Sequence, residues 1–175
     1  MNKEKELLLT LFRIPNCRVE VPTIWLLRNS MRDDYYNAHL MIRILAIENY
    51  YGINNYGWDL YNKMQRARVA YKSKIPREKA ENEQAFKDLI KSFEMYGYLY
   101  DHPIVVNKYF RLVDGSHRLS LSVFMGIERI PITITEDSYD EDPEYSLKWF
   151  IEMGFDEYIE PIKRKYAEIL DKYKI

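Results

Sequence analysis

The stretch Leu112-Val113-Asp114-Gly115-Ser116-His117-Arg118-Leu119-Ser120-Leu121-Ser122 opens as the apolar end of a strand, turns at an acidic Gly pair and continues as an amphipathic helix. Leu119, Val123 and Phe124 form the inward face of that helix, and Gly126 closes its C-terminus. Asp114, Gly115, Ser116, His117 and Arg118 therefore fall at a strand-to-helix junction. Backbone N–H groups without intrahelical partners point out of a helix N-terminus, and the helix dipole adds partial positive charge there. Gly115 lets the backbone approach a bound group closely, while His117 and Arg118 add donors. That is a phosphate site in outline. The same spacing also fits a plain capped turn, with Ser116 or Asp114 as the N-cap and Arg118 exposed.

Working outward, Ile104-Val105-Val106 and Phe110-Arg111-Leu112-Val113 flank Asn107-Lys108-Tyr109 as a hairpin, and Ile130 to Thr135 is the next strand. Phe86, Leu89, Ile90 and Phe93 make the apolar face of a preceding helix that Gly97 stops. Further upstream, residues 3–12 read as a helix and Val19-Glu20-Val21 as a brief strand ended by Pro22. Ser30-Met31-Arg32-Asp33 resembles a capping box ahead of the helical series Tyr36, Leu40, Ile44, Ile47 and Tyr51. Asn54-Asn55-Tyr56-Gly57 is a loop. Trp58, Tyr61, Met64 and Gln65 then open a helix that runs to Ile75-Pro76. Downstream, Glu136 to Glu144 is an acidic loop. Pro143 suits the first turn of a helix carrying Leu147, Phe150 and Ile151, which Gly154 ends; a last helix carries Ile159, Ile162, Tyr166, Ile169 and Leu170.

Ser92-Phe93-Glu94-Met95-Tyr96-Gly97, Pro103-Ile104-Val105-Val106, Leu112 to Arg118 and Gly126-Ile127-Glu128-Arg129-Ile130-Pro131-Ile132 together resemble the ParB/sulfiredoxin superfamily. The resemblance covers residues 85–134. It implies an α+β fold: a small mixed sheet built from 104–106, 111–113 and 131–134, with helices packed around it. The expected organisation is a helical extension over 1–75, the core over 76–137 and a second helical extension over 138–175, in one compact domain overall. Members of the superfamily include CTP-binding partition proteins, sulfiredoxins that use ATP, and free-serine kinases. The turn from Asp114 to Arg118 is most similar to the kinase turn, with Ser116 in place of its first His.

The net charge of −1, from 26 basic and 27 acidic residues, gives no global pull toward nucleic acid. The single cysteine, Cys17, forms no internal disulfide and fits a reducing cytoplasm. The apolar run Leu7 to Phe12 is short for a signal segment, and Arg43 and Glu48 interrupt the best candidate for a membrane span, so no membrane insertion is expected. No His, Cys or Asp spacing suggests zinc. Sixteen tyrosines suit stacking surfaces or ordinary packing, and none is assigned a role.

Phosphoryl transfer needs a phosphate cradle, a cation and a carboxylate. Gly115, Ser116, His117 and Arg118 would form the cradle, and Asp114 would hold Mg²⁺ or act as base, with His117 also in the catalytic set. The kinase resemblance implies a catalytic Glu ahead of the preceding helix. Glu78, Glu81 and Glu83 all lie there; Pro76-Arg77-Glu78 is most similar to the family's pattern and favours Glu78, although the carboxylates also suit a helix N-terminus with no further role. Lys63, Arg66, Arg68, Lys72 and Lys74 offer a basic wall, with Arg66 and Arg68 as further phosphate contacts, or else a solvated face answering the acidic loop. Sulfiredoxin chemistry needs a cysteine where this chain has Ser116. DNA partition is disfavoured because no helix-turn-helix follows the resemblance. Two readings remain. One is a Mg²⁺-dependent kinase using ATP or ADP, or another nucleotide, on a small hydroxyl-bearing metabolite such as an amino acid or sugar. The other is a nucleotide-binding module without turnover that controls a protein partner. Self-association into a homo-oligomer is left open by both.

Overall fold

The computed structural model describes residues 6, 8, 10–11, 19–31, 37–71, 83–135 and 146–174. Residues 6, 8, 10 and 11 are helical, within the expected 3–12 helix. The other described elements make an α+β fold of four strands and seven helices. They are β1 Val19–Pro22, α1 Thr23–Ser30, α2 Ala38–Tyr50, α3 Gly57–Tyr71, α4 Glu83–Tyr96, β2 Ile104–Asn107, β3 Leu112–Asp114, α5 Ser116–Met125, β4 Arg129–Thr135, α6 Leu147–Glu152 and α7 Asp156–Tyr173. The chain divides into two compact units, Met1–Ser30 with Tyr98–Glu141, and Met31–Gly97 with Asp142–Ile175.

The first unit holds a mixed sheet in the order β1-β4-β2-β3. A tight turn makes β2 and β3 antiparallel, and the return through α5 lays β4 parallel to β2 on its other side. The expected strands at 104–106, 111–113 and 131–134 thus share one sheet. Val19 and Val21 alternate with half-buried neighbours, and β1 adds to the edge of β4 in antiparallel register, Val19 opposite Ile132 and Val21 opposite Ile130. Pro22 is the last residue of β1, so the strand ends there as expected, and an edge strand tolerates it because one side needs no donor.

Two expectations in this unit are corrected. Ser30 does not open a helix; it is the last residue of α1, buried, with Oγ donating to the Leu26 carbonyl at 2.9 Å. The segment Ile24-Trp25-Leu26-Leu27 carries apolar residues too densely to display a helical period, and α1 packs against α5. Phe110 and Arg111 do not begin β3. Phe110 takes the left-handed conformation at φ 60°, and its fully buried ring meets Trp25 edge-on at 5.1 Å. The buried Asn107 organises this turn: its Oδ1 accepts from the amides of Tyr109 at 2.9 Å and Arg111 at 3.0 Å.

In the second unit α2 is the core element. Every residue from Ala38 to Ile47 is buried, as expected of a helix covered on all sides. Arg43 among them is 1% exposed; its Nη1 donates to the His39 carbonyl at 3.0 Å and lies 4.0 Å from Met64 Sδ. α3 and α7 pack on α2. α6 starts at Leu147, after Ser146 Oγ accepts the Trp149 amide at 3.1 Å; Pro143, expected in the first turn, lies outside the described residues. Ile151 is 47% exposed rather than inward, while Leu147 and Phe150 are buried as expected. Ile159, Ile162, Tyr166 and Ile169 form the buried stripe of α7.

One ion pair across this core sets a pH response. Lys165 Nζ on α7 lies 2.6 Å from Glu48 Oε1 on α2, with both side chains nearly buried, and it also meets Glu168. Burial alone would lower the Lys165 pKa, but the hydrogen bonds to Glu168 and Glu48 outweigh it and raise it. A lysine whose native pKa is raised contributes stability that is whole below its unfolded value, about 10.4, and fades as pH rises through the native one. Thermal melts should therefore begin to fall as pH rises above about 10.4 and go on falling through the raised native value, and fall less in Glu48→Gln, whose amide leaves the lysine no ionic partner on α2. Equal falls in both proteins would show that the pair contributes nothing.

Candidate functional site

The junction between β3 and α5 holds five of the expected site residues together: Asp114, Gly115, Ser116, His117 and Arg118. Gly115 is the N-cap of the ten-residue α5, in the left-handed region at φ 99°. The N-cap is Gly115, which has no side chain to cap this end, so the alternative reading with Ser116 or Asp114 at the N-cap position is corrected. The first intrahelical bond is Leu119 N to the Gly115 carbonyl at 2.8 Å, which leaves the amides of the first turn ahead of it. A Cβ at position 115 would stand 3.0 Å from Ile104 Cγ1 and 3.3 Å from Arg118 Nη2, in a conformation that L side chains rarely adopt. Glycine therefore lets the turn lie against β2 and leaves the guanidinium its place.

Arg118 is not exposed, as the plain turn reading expected. Its side chain is 19% exposed, with Nη1 donating to the His102 carbonyl at 2.7 Å and Nη2 to Asp114 Oδ2 at 2.9 Å. Asp114 itself is 72% exposed at the end of β3. The buried Tyr98 donates from Oη to the same His102 carbonyl at 2.9 Å. Burial pushes the Tyr98 phenol up to about 12, against the pull of Arg118 and with the push of Asp114. Tyr98 and His102 thus belong to the site although neither was assigned to it. His117 and Ser116 are half-buried in the first turn of α5.

The residues present fit an anion by kind: an uncapped helix N-terminus, a glycine at closest approach and a guanidinium at the same end. Among the described residues no group of three His, Cys, Asp or Glu side chains stands ready for a metal. Asp114 offers one carboxylate, which suits Mg²⁺ only where substrate phosphates supply further oxygens.

The other expected residues lie in the second unit or outside the described residues. Arg66 is exposed on α3, and Arg68 on the same helix donates from Nη1 to Gln65 Oε1 at 3.2 Å. Lys63 donates to the Gly154 carbonyl at 2.7 Å and lies over the rings of Phe155 and Tyr158, so it is committed to the start of α7 rather than to a shared basic wall. Lys72, Lys74, Glu78 and Glu81 lie outside the described residues. Glu83, the third carboxylate weighed, sits in the first turn of α4, accepts from Asn62 Nδ2 at 2.6 Å and pairs with Lys87. Burial raises its pKa, but the bonds from Lys87 and Asn62 outweigh that and hold it below the usual carboxylate range. This carboxylate fastens α4 to α3.

No protein-family model, curated protein or solved structure matches the chain. No helix among the described residues is long and apolar enough to cross a membrane.

Proposed function

We propose that the first unit is a ParB/sulfiredoxin-like nucleotide-binding fold and that the protein is a Mg²⁺-dependent phosphotransferase acting on a small hydroxyl-bearing metabolite. The observation that carries this reading is the uncapped start of α5, where Gly115 and Arg118 converge. The amides of the first turn and the Arg118 fork would bind phosphate oxygens of ATP or ADP, and His117 would add a further contact. Asp114 would hold Mg²⁺, which offsets phosphate charge when bound, or accept the proton of the attacking hydroxyl. By resemblance, Glu78 would be the second carboxylate. The test is nucleotide conversion over a panel of amino acids and sugars with Mg²⁺, beside calorimetry with ATP, ADP, CTP and GTP. No binding at millimolar concentration ends this reading.

A second reading, nucleotide binding without turnover, is favoured by one observation: Arg118 already engages the carboxylate that turnover would use. Turnover in the metabolite panel excludes it.

Arg118→Lys separates ligand contact from folding. Lysine keeps one donor for the His102 carbonyl but loses the planar fork. Nucleotide affinity should weaken by roughly 1–3 kcal/mol, while the melting temperature changes little. Unaltered affinity in both Arg118→Lys and Arg118→Ala removes this residue from the site.

A further inference from the structure

Asp114 and Arg118 are four residues apart across the β3–α5 junction and bound to each other, yet they are held very differently. The Arg118 guanidinium is largely buried, and its Nη1 is fixed by the His102 carbonyl, a group that Tyr98 Oη also engages. Asp114 is mostly exposed, and among the described residues its carboxylate makes one hydrogen bond, to Arg118 Nη2. If the carboxylate swings away, the guanidinium still has its anchor.

We propose that Asp114 is a built-in competitor for Arg118: a latch that occupies the phosphate-facing edge of the guanidinium until a polyanion displaces it. This rests on the anion-binding reading of the β3–α5 junction and adds a selection rule to it. An ion pair whose carboxylate partner stands in solvent is cheap to break, whereas a phosphate can take two parallel N–H bonds from an arginine and meet the helix N-terminus as well. A displaced Asp114 then faces the bound anion with like charge. Anions that arrive without a cation are therefore penalised, and polyphosphates that bring one are favoured.

The experiment is calorimetry with inorganic pyrophosphate, without divalent cation, on the wild type, Asp114→Asn, Arg118→Gln and the double variant. Asp114→Asn should bind about fivefold more tightly than the wild type, the factor that about 1 kcal/mol represents. In the Arg118→Gln background the same change should give a distinctly smaller gain, because only the like-charge repulsion is relieved and no latch remains to open. An equal gain in both backgrounds overturns the latch and leaves only a field effect of Asp114. A weaker Asp114→Asn overturns it too, since the carboxylate would then be positioning the arginine. If none of the four proteins binds pyrophosphate, the anion reading itself fails, and the latch with it. Asp114→Ala repeats the comparison should the asparagine variant fold poorly.

Discussion

Asp114→Asn should leave the fold intact and lower the proposed phosphoryl transfer by about a hundredfold or more in kcat. The side chain is exposed at the end of β3, and an asparagine Oδ1 can still accept from Arg118 Nη2, so the variant should melt within a few degrees of the wild type. The amide cannot take a proton from an attacking hydroxyl, and it is a poorer Mg²⁺ ligand than a carboxylate. General acid–base catalysis contributes typically 10²–10⁴-fold, which sets the expected scale. The same variant should bind cation-free pyrophosphate more tightly. Lost turnover with gained anion affinity cannot come from partial unfolding, so the two measurements on one protein separate chemistry from stability. Full activity in Asp114→Asn removes the residue from the reaction; collapse of the fold assigns it a structural role.

The sheet was legible because its signals are local. The change of period at 112–122, the positive-φ glycines at 97, 115 and 126, and the short apolar runs place β2, β3, α5, β4 and the C-terminal end of α4 within a residue or two. The misses have physical causes. α1 gathers its apolar residues into the single run Ile24–Leu27 with polar residues on either side, so no period stands out, and Ser30 at its end looks like the start of the next helix. Phe110 reads as a strand residue by propensity, but tertiary packing on Trp25 and the amide bonds to Asn107 hold it in a turn that propensity disfavours. The pairing of β1 with β4 joins residues more than a hundred positions apart, and nothing in the local pattern of Val19–Pro22 says which edge it will meet.

The site was legible in its residues more than in its contacts. Asp114 and Arg118 are four apart across a strand end and the first turn of a helix, a spacing that brings opposite charges together, yet in sequence both read as facing a ligand rather than each other. Tyr98 and His102 join the site through a carbonyl that accepts from both Arg118 and Tyr98, and no side-chain pattern announces a backbone acceptor. The basic residues of α3 read as one wall in sequence. Lys63 is drawn away by the start of α7 and its two aromatic rings, and Arg68 by Gln65.

Gly57→Ala should be the most damaging small substitution in the helical unit, at about 3 kcal/mol or more. The sequence suggested a loop glycine, yet Gly57 is the first residue of α3, and the reason for it is packing rather than conformation. A Cβ there would stand 2.0 Å from the Leu45 carbonyl oxygen and 2.9 Å from the Ala46 Cα, both backbone atoms of α2 that no rotamer change can move. The corner is also stitched by two asparagines. Asn54 Oδ1 accepts the Gly57 amide at 2.9 Å while its Nδ2 donates to the Leu45 carbonyl at 2.9 Å. Asn49 Oδ1 accepts the Trp58 amide at 3.0 Å, and its Nδ2 donates to the Asn54 carbonyl at 2.7 Å. Pushing α3 off α2 to fit a methyl group therefore strains these bonds as well as the core contacts of Leu60, Tyr61 and Met64. At about 2–4 °C per kcal/mol for a chain of this size, the melting temperature should drop by on the order of 10 °C. Gly52→Ala is the control: Gly52 has φ 72° but nothing within 4 Å of an added Cβ, so it carries the conformational cost alone, about 1 kcal/mol. Guanidinium denaturation of both variants reads the difference, and a Gly57→Ala no worse than Gly52→Ala would mean that α2 and α3 do not approach this closely.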